Sequence, residues 1–180
     1  MLKYLVYLAI LWYYDSLERM IMPSKKASSA DNQQERQFLN GWIVGFTDGE
    51  GCFSVSVIKN STTKSGFQIF PEFVITQGEK SLKSLNTIKD FFECGRIFVN
   101  RRKDNHRENL YRYCVRARKD LEEKIIPFFL KYNLSTNKIN DFKIFSKVIK
   151  DMKNNSHLTA SGYQKILKII SKMNRKKKRD

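Results

Sequence analysis

The hydrophobic pattern along this chain changes period several times, and each change marks an element. Leu39, Trp42, Ile43 and Phe46 recur at helical spacing within 38–47. After Gly51 the period drops to two: Phe53, Val55 and Val57 alternate with Ser54 and Ser56, which predicts a strand with one polar face. A polar loop over 60–66 leads to a second strand, where Phe67, Ile69, Phe73 and Ile75 alternate against Gln68, Glu72 and Thr76, so the two strands form a hairpin. Leu82, Leu85, Ile88 and Phe92 then predict an amphipathic helix over 80–92, ended by Cys94-Gly95. Strands at 96–101 and 110–116 follow, the second setting Tyr111, Tyr113 and Val115 opposite Arg112, Cys114 and Arg116. Helical spacing returns in 120–130 (Leu121, Ile125, Phe129), 137–152 (Phe142, Phe145, Ile149, Met152) and 159–173 (Tyr163, Ile166, Ile170, Met173). The order α-β-β-α-β-β-α with two further helices is an α+β fold.

The flanks carry no such periods. An apolar run over 4–14 is too short to span a bilayer and lacks a small-residue cleavage site, which predicts no membrane anchor. It reads as an extension outside the fold, with Met20 or Met22 as alternative starts. Residues 23–37 are small and polar and read as a linker. The expected organisation is an N-terminal extension and linker over 1–35, one globular domain over 36–174, and a basic tail over 175–180 that serves as a phosphate-binding arm.

Charge narrows the partner. With 34 Lys and Arg against 18 acidic residues, the formal charge is +16, far beyond what solubility asks of one domain. Such a field favours polyanions, nucleic acid first among them. The three cysteines, Cys52, Cys94 and Cys114, show no C-x-x-C spacing, so neither a disulfide framework nor a zinc knuckle is indicated. With only two histidines, His106 and His157, chemistry must rest on carboxylates, amides and cations.

Gly41, Gly45 and Gly49 recur every fourth residue and form a bare stripe along one face of the first helix. Each costs about 1 kcal/mol of helix stability relative to alanine, so a run of them calls for the close approach of another helix. The stripe ends in Asp48-Gly49-Glu50-Gly51, two carboxylates at the negative end of a helix dipole. A hard divalent cation such as Mg²⁺ would compensate them, although on these four residues alone a solvated turn is the preferred reading.

Ile43-Val44-Gly45-Phe46-Thr47-Asp48-Gly49-Glu50-Gly51 resembles the nine-residue LAGLIDADG signature of homing endonucleases, matching its two glycines and both acidic positions. Thr76-Gln77, the stretch from Ile126-Pro127-Phe128-Phe129 to Asn137-Lys138, and His157-Leu158-Thr159 extend the resemblance over 39–174. It implies a metal-dependent, site-specific DNA endonuclease of the intron-homing type. Glu50 would hold Mg²⁺ or another divalent cation, with the Gly49 carbonyl as a second ligand. Gln77 would position water, and Lys138 would supply a cation near the scissile phosphate, with Lys131 the alternative. A single signature implies a homodimer, the helices pairing through Gly41, Gly45, Asp48 and Gly49. The strands would form one antiparallel sheet reading double-stranded DNA in the major groove through Ser54, Ser56, Lys59, Gln68, Glu72, Arg96, Asn100, Arg101, Arg112, Arg116 and Arg118. The resemblance also implies an intron-encoded gene of a mitochondrion or chloroplast. The alternative is an RNA maturase, or another non-cleaving nucleic-acid binder of the same fold, with intron RNA as its partner.

Overall fold

The structure is a computed structural model that describes residues 29–63, 66–101 and 108–173. The apolar run at 4–14, His106 in its charged loop, and the basic tail lie outside the described residues. Two compact units are present, Met1–Asn40 and Gly41–Asp180.

In the first unit the described residues are helical, and 32–38 are exposed. They belong to α1 (Ser29–Glu50), which corrects the linker expected through Gln37. Its run Gln33-Gln34-Glu35-Arg36-Gln37 is made of straight-chain residues, which lose little side-chain entropy in a helix. No hydrophobic period announces it because it buries almost nothing. The division between units falls after Asn40, within this helix.

The second unit is built on β1 (Gly51–Lys59), β2 (Phe67–Gly78), β3 (Arg96–Asn100) and β4 (Leu110–Val115). They form one antiparallel sheet in the order β1-β2-β4-β3. Between the hairpins lies α2 (Leu82–Phe92), which buries Leu85, Ile88 and Phe92. Its chain reverses through Glu93 at φ 49° and Gly95 at φ 76°, left-handed backbone that favours glycine at the second position. After β4 comes α3, made of Arg118–Asp120, a π-helical turn at Leu121–Ile125, and Ile126–Lys131. Then come α4 (Lys138–Lys153) and α5 (Ala160–Ile170), the latter capped by the Thr159 hydroxyl accepting from the Gly162 amide at 3.1 Å.

Alternation decides which face each strand residue takes. Phe53 and Phe73 face the helices, their rings 5.0 Å apart, and Phe129, Phe142 and Phe145 close on Phe53 at 5.3, 5.1 and 5.4 Å. This aromatic core, with Tyr113, Val115, Leu121 and Ile149 also buried, fixes the helical layer on one side of the sheet. The opposite parity carries Ser54, Ser56, Gln68, Phe70, Glu72, Arg96, Phe98, Asn100 and Arg112, a polar and cationic face turned away from that core.

Candidate nuclease site and nucleic-acid interface

The last turn of α1 leaves backbone carbonyls without helical partners, and cations are favoured at such an end. Lys138 supplies one. From the first position of α4 its ammonium donates to the Thr47 carbonyl at 2.7 Å and reaches the Gly49 carbonyl at 3.4 Å. Burial pushes the Lys138 ammonium below its ordinary pKa, opposed by the charges of Asp48 and Glu50. Lys131, the alternative, ends α3 with its ammonium 5.3 Å from the Tyr132 ring and is not brought to this helix end by any described contact.

Asp48 braces the same junction from within its own chain. Its carboxylate accepts from the Ser135 amide at 2.7 Å, the Thr136 amide at 3.2 Å and the Thr136 hydroxyl at 2.7 Å. Ser135 and Thr136 were not singled out in the sequence; a Ser-Thr-Asn run before a helix signals a cap, and here its donors serve Asp48 at the end of α1 instead. Burial raises the Asp48 pKa, but these hydrogen bonds and the Lys138 charge outweigh it, holding the carboxyl below its ordinary 3.8. A carboxyl lowered on folding stabilises the fold above its unfolded pKa, and that contribution disappears as pH falls through the folded value. Asp48→Asn is therefore expected to cost about 1 kcal/mol at neutral pH for a partly exposed group. It should also flatten the loss of stability in acid, below the ordinary carboxyl range. Denaturant melts of both proteins between pH 7 and pH 3 check this, and parallel pH curves would contradict it.

Glu50 is the final residue of α1 and is exposed, as is Gly49. Gly51 begins β1 in the tightest part of the turn: a Cβ there would meet the Thr47 carbonyl oxygen at 2.8 Å and its Cγ2 at 2.6 Å. Glycine is required at that step because helix gives way to strand without a loop. Gly41, Gly45 and Gly49 are the opposite case, exposed, with nothing within 4 Å of an added Cβ. Their stripe is open space on the surface of this chain. Gln77 lies half-buried near the end of β2, two residues past Ile75, which pairs with Gly51. Gln77 thus stands at the sheet end bordering the α1–β1 junction.

Of the residues expected to read DNA, Ser54, Ser56, Gln68, Glu72, Arg96, Asn100 and Arg112 share the open face, and Arg116 continues their parity just past β4. Lys59 and Arg101 take the other parity at or beyond strand ends. Arg118 opens α3, where it donates to the Met152 carbonyl at 3.5 Å and sits 3.9 Å from Glu122. Glu72 is buried and paired with both Arg112 and Arg116, while Arg116 lies over the Phe70 and Phe98 rings. Phe70 and Phe98 were missed because an aromatic on the polar parity reads as a break in the pattern.

A protein-family model for the LAGLIDADG endonuclease matches residues 43–149, from the striped end of α1 well into α4. The chain belongs to the LAGLIDADG endonuclease family. Its relatives include a probable intron-encoded endonuclease 2 of Neurospora crassa, 35% identical over 134 residues, 74% of this chain and 28% of that protein. The chain thus spans little more than a quarter of that relative. Among solved structures it is similar to the homing endonuclease I-TnaI, at 40% identity and TM-score 0.68, covering 77% of this chain and 89% of the other. It is also similar to I-SmaMI bound to uncleaved DNA target in the presence of calcium ions, at 35% identity and TM-score 0.68, covering 75% and 44%. The α+β LAGLIDADG fold expected from the sequence is the fold observed.

Proposed function

We propose that this chain is a site-specific DNA endonuclease of the intron-homing type that works as a homodimer and cuts both strands at one shared centre. The observation that carries this reading is the end of α1, where an exposed glycine stripe leads to an exposed Glu50 beside carbonyls held by the Lys138 ammonium. Two such helices packed along their stripes would bring two Glu50 carboxylates together, one for each DNA strand. The donor set fits a hard cation: a carboxylate and the Gly49 carbonyl are oxygen ligands, and an ammonium already rests against that carbonyl. Glu50 and Gly49 would hold Mg²⁺ or another divalent ion, which when bound would activate water and stabilise the leaving oxygen.

The remaining roles belong to the chain itself. Lys138 balances charge at the scissile phosphate, Gln77 orients the attacking water, and Asp48 positions the helix end that bears Glu50. The open sheet face lies in the major groove, which admits a two-stranded ribbon. The formal charge of +16 favours association with duplex DNA and makes it salt-dependent. We further place the protein in a mitochondrion or chloroplast, supported by its similarity to a relative called intron-encoded and by a Lys-, Asn-, Ile- and Tyr-rich sequence. No helix among the described residues is long and apolar enough to cross a membrane.

The test incubates purified protein with a randomised duplex library and Mg²⁺, with and without chelator, and sequences the ends produced. Metal-dependent ends clustered at one long, partly palindromic site are expected. Tight binding that never yields ends would overturn the nuclease reading in favour of a maturase acting on intron RNA.

A further inference from the structure

The open face of the sheet holds a built cluster, and its arrangement goes further than a list of polar residues. Phe70, Glu72, Phe98, Arg112 and Arg116 all take the parity turned away from the aromatic core. Phe73 pairs with Val115 and Phe98 with Arg112, so Glu72 comes opposite Arg116 one step past the last ladder pair. The Glu72 side chain is 9% exposed, whereas both arginine side chains are 41% exposed. A carboxylate on a surface meant for a polyanion is unfavourable unless cations cover it, and here two do, leaving the cluster with a net positive charge.

The atoms used matter. Arg116 meets Glu72 through Nε, so that contact leaves its two terminal nitrogens unengaged. The Phe70 and Phe98 rings lie 5.5 and 5.2 Å from its guanidinium carbon, and together they restrict rotation of the guanidinium plane. A lysine could not replace such a group, because what is fixed is a planar fork and not only a charge. The edge of a base pair that accepts two parallel hydrogen bonds from such a fork is guanine, through O6 and N7 in the major groove.

We propose that Arg116 is a preset guanine reader, pinned by Glu72 and clamped between Phe70 and Phe98, and that each half-site of the target carries a fixed G·C pair beneath it. This rests on the DNA-reading role proposed above and names a specificity it does not contain. Glu72 is then a positioning residue: it contacts no base and acts by holding the fork.

The experiment measures binding, so that it does not depend on cutting. Wild type, R116K and E72Q are each equilibrated with a library randomised across the half-site in calcium-containing buffer, and enrichment is read position by position, with the salt dependence measured alongside. Wild type is expected to prefer G at one position per half-site by about tenfold or more. R116K should lose that preference while keeping the other positions and the salt slope, and E72Q should weaken the same position. An R116K protein with unchanged preferences overturns the proposal, as does uniform weakening across all sequences, which marks a phosphate contact. If E72Q fails to fold, as judged by its melting curve, R116K decides alone. A wild type that enriches no sequence overturns the DNA-reading function itself, and is told apart because it fails before any variant is compared.

Discussion

Replacing Glu50 by glutamine is expected to abolish metal-dependent cutting while leaving DNA affinity unchanged or slightly higher. The side chain is exposed and ends its helix, so its loss removes no packing. Stability should therefore hold within about 0.5 kcal/mol, as for surface substitutions generally. The proposed function, in contrast, assigns Glu50 the only charged protein ligand of the cation in each half of the site. Lewis-acid stabilisation amounts to several kcal/mol, and at about 1.4 kcal/mol per tenfold the loss of cutting should be at least about a thousandfold. Affinity moves the other way because an amide repels phosphate less than a carboxylate does. The measurement pairs single-turnover cleavage at saturating Mg²⁺ with binding by the same preparation. A variant that cuts as fast as wild type would remove Glu50 from the mechanism, and one that loses binding in parallel would make it a structural residue.

How much of this site the sequence discloses depends on whether its determinants are local. The helix carrying the stripe, the change of period at Gly51 and the four strands were legible because burial on one face imprints a period of 3.6 or 2 on neighbouring residues. The N-terminal part of α1 was not legible, since 32–38 are exposed and carry no period. Contacts across long separations were also hidden. Asp48 meets Ser135 and Thr136, and Lys138 meets Thr47, across about ninety residues of chain, with no trace in spacing. The choice between Lys131 and Lys138 could not be made from composition for the same reason; the structure brings Lys138 to the helix end and leaves Lys131 beside Tyr132. Glu72 shows a subtler limit. Alternation placed it on the correct face, but only the β2–β4 register makes it a buried pin for two arginines rather than a simple surface contact.

The second large effect is expected at Gly45, where leucine should leave the single chain as stable as before, or more so, while preventing two chains from pairing. Nothing of this chain lies within 4 Å of a Cβ built there, and the residue is exposed in mid-helix. Replacing glycine by a good helix former should therefore favour the helix by roughly 0.5–1 kcal/mol. Close helix approach is a different matter: a side chain in the stripe holds the two backbones apart and separates the two Glu50 carboxylates. Misplacement by about 1 Å costs on the order of a hundredfold in rate, so double-strand cutting should fall by at least that much. The diagnostic is the combination of effects. A monomer by sedimentation, a melting temperature that does not fall, and lost cutting together identify a helix-pairing surface. If Gly45→Leu destabilised the fold, the stripe would be packing inside the chain after all. A stable variant that still cut both strands as a dimer would move the interface elsewhere and leave three glycines on one helix face without a reason.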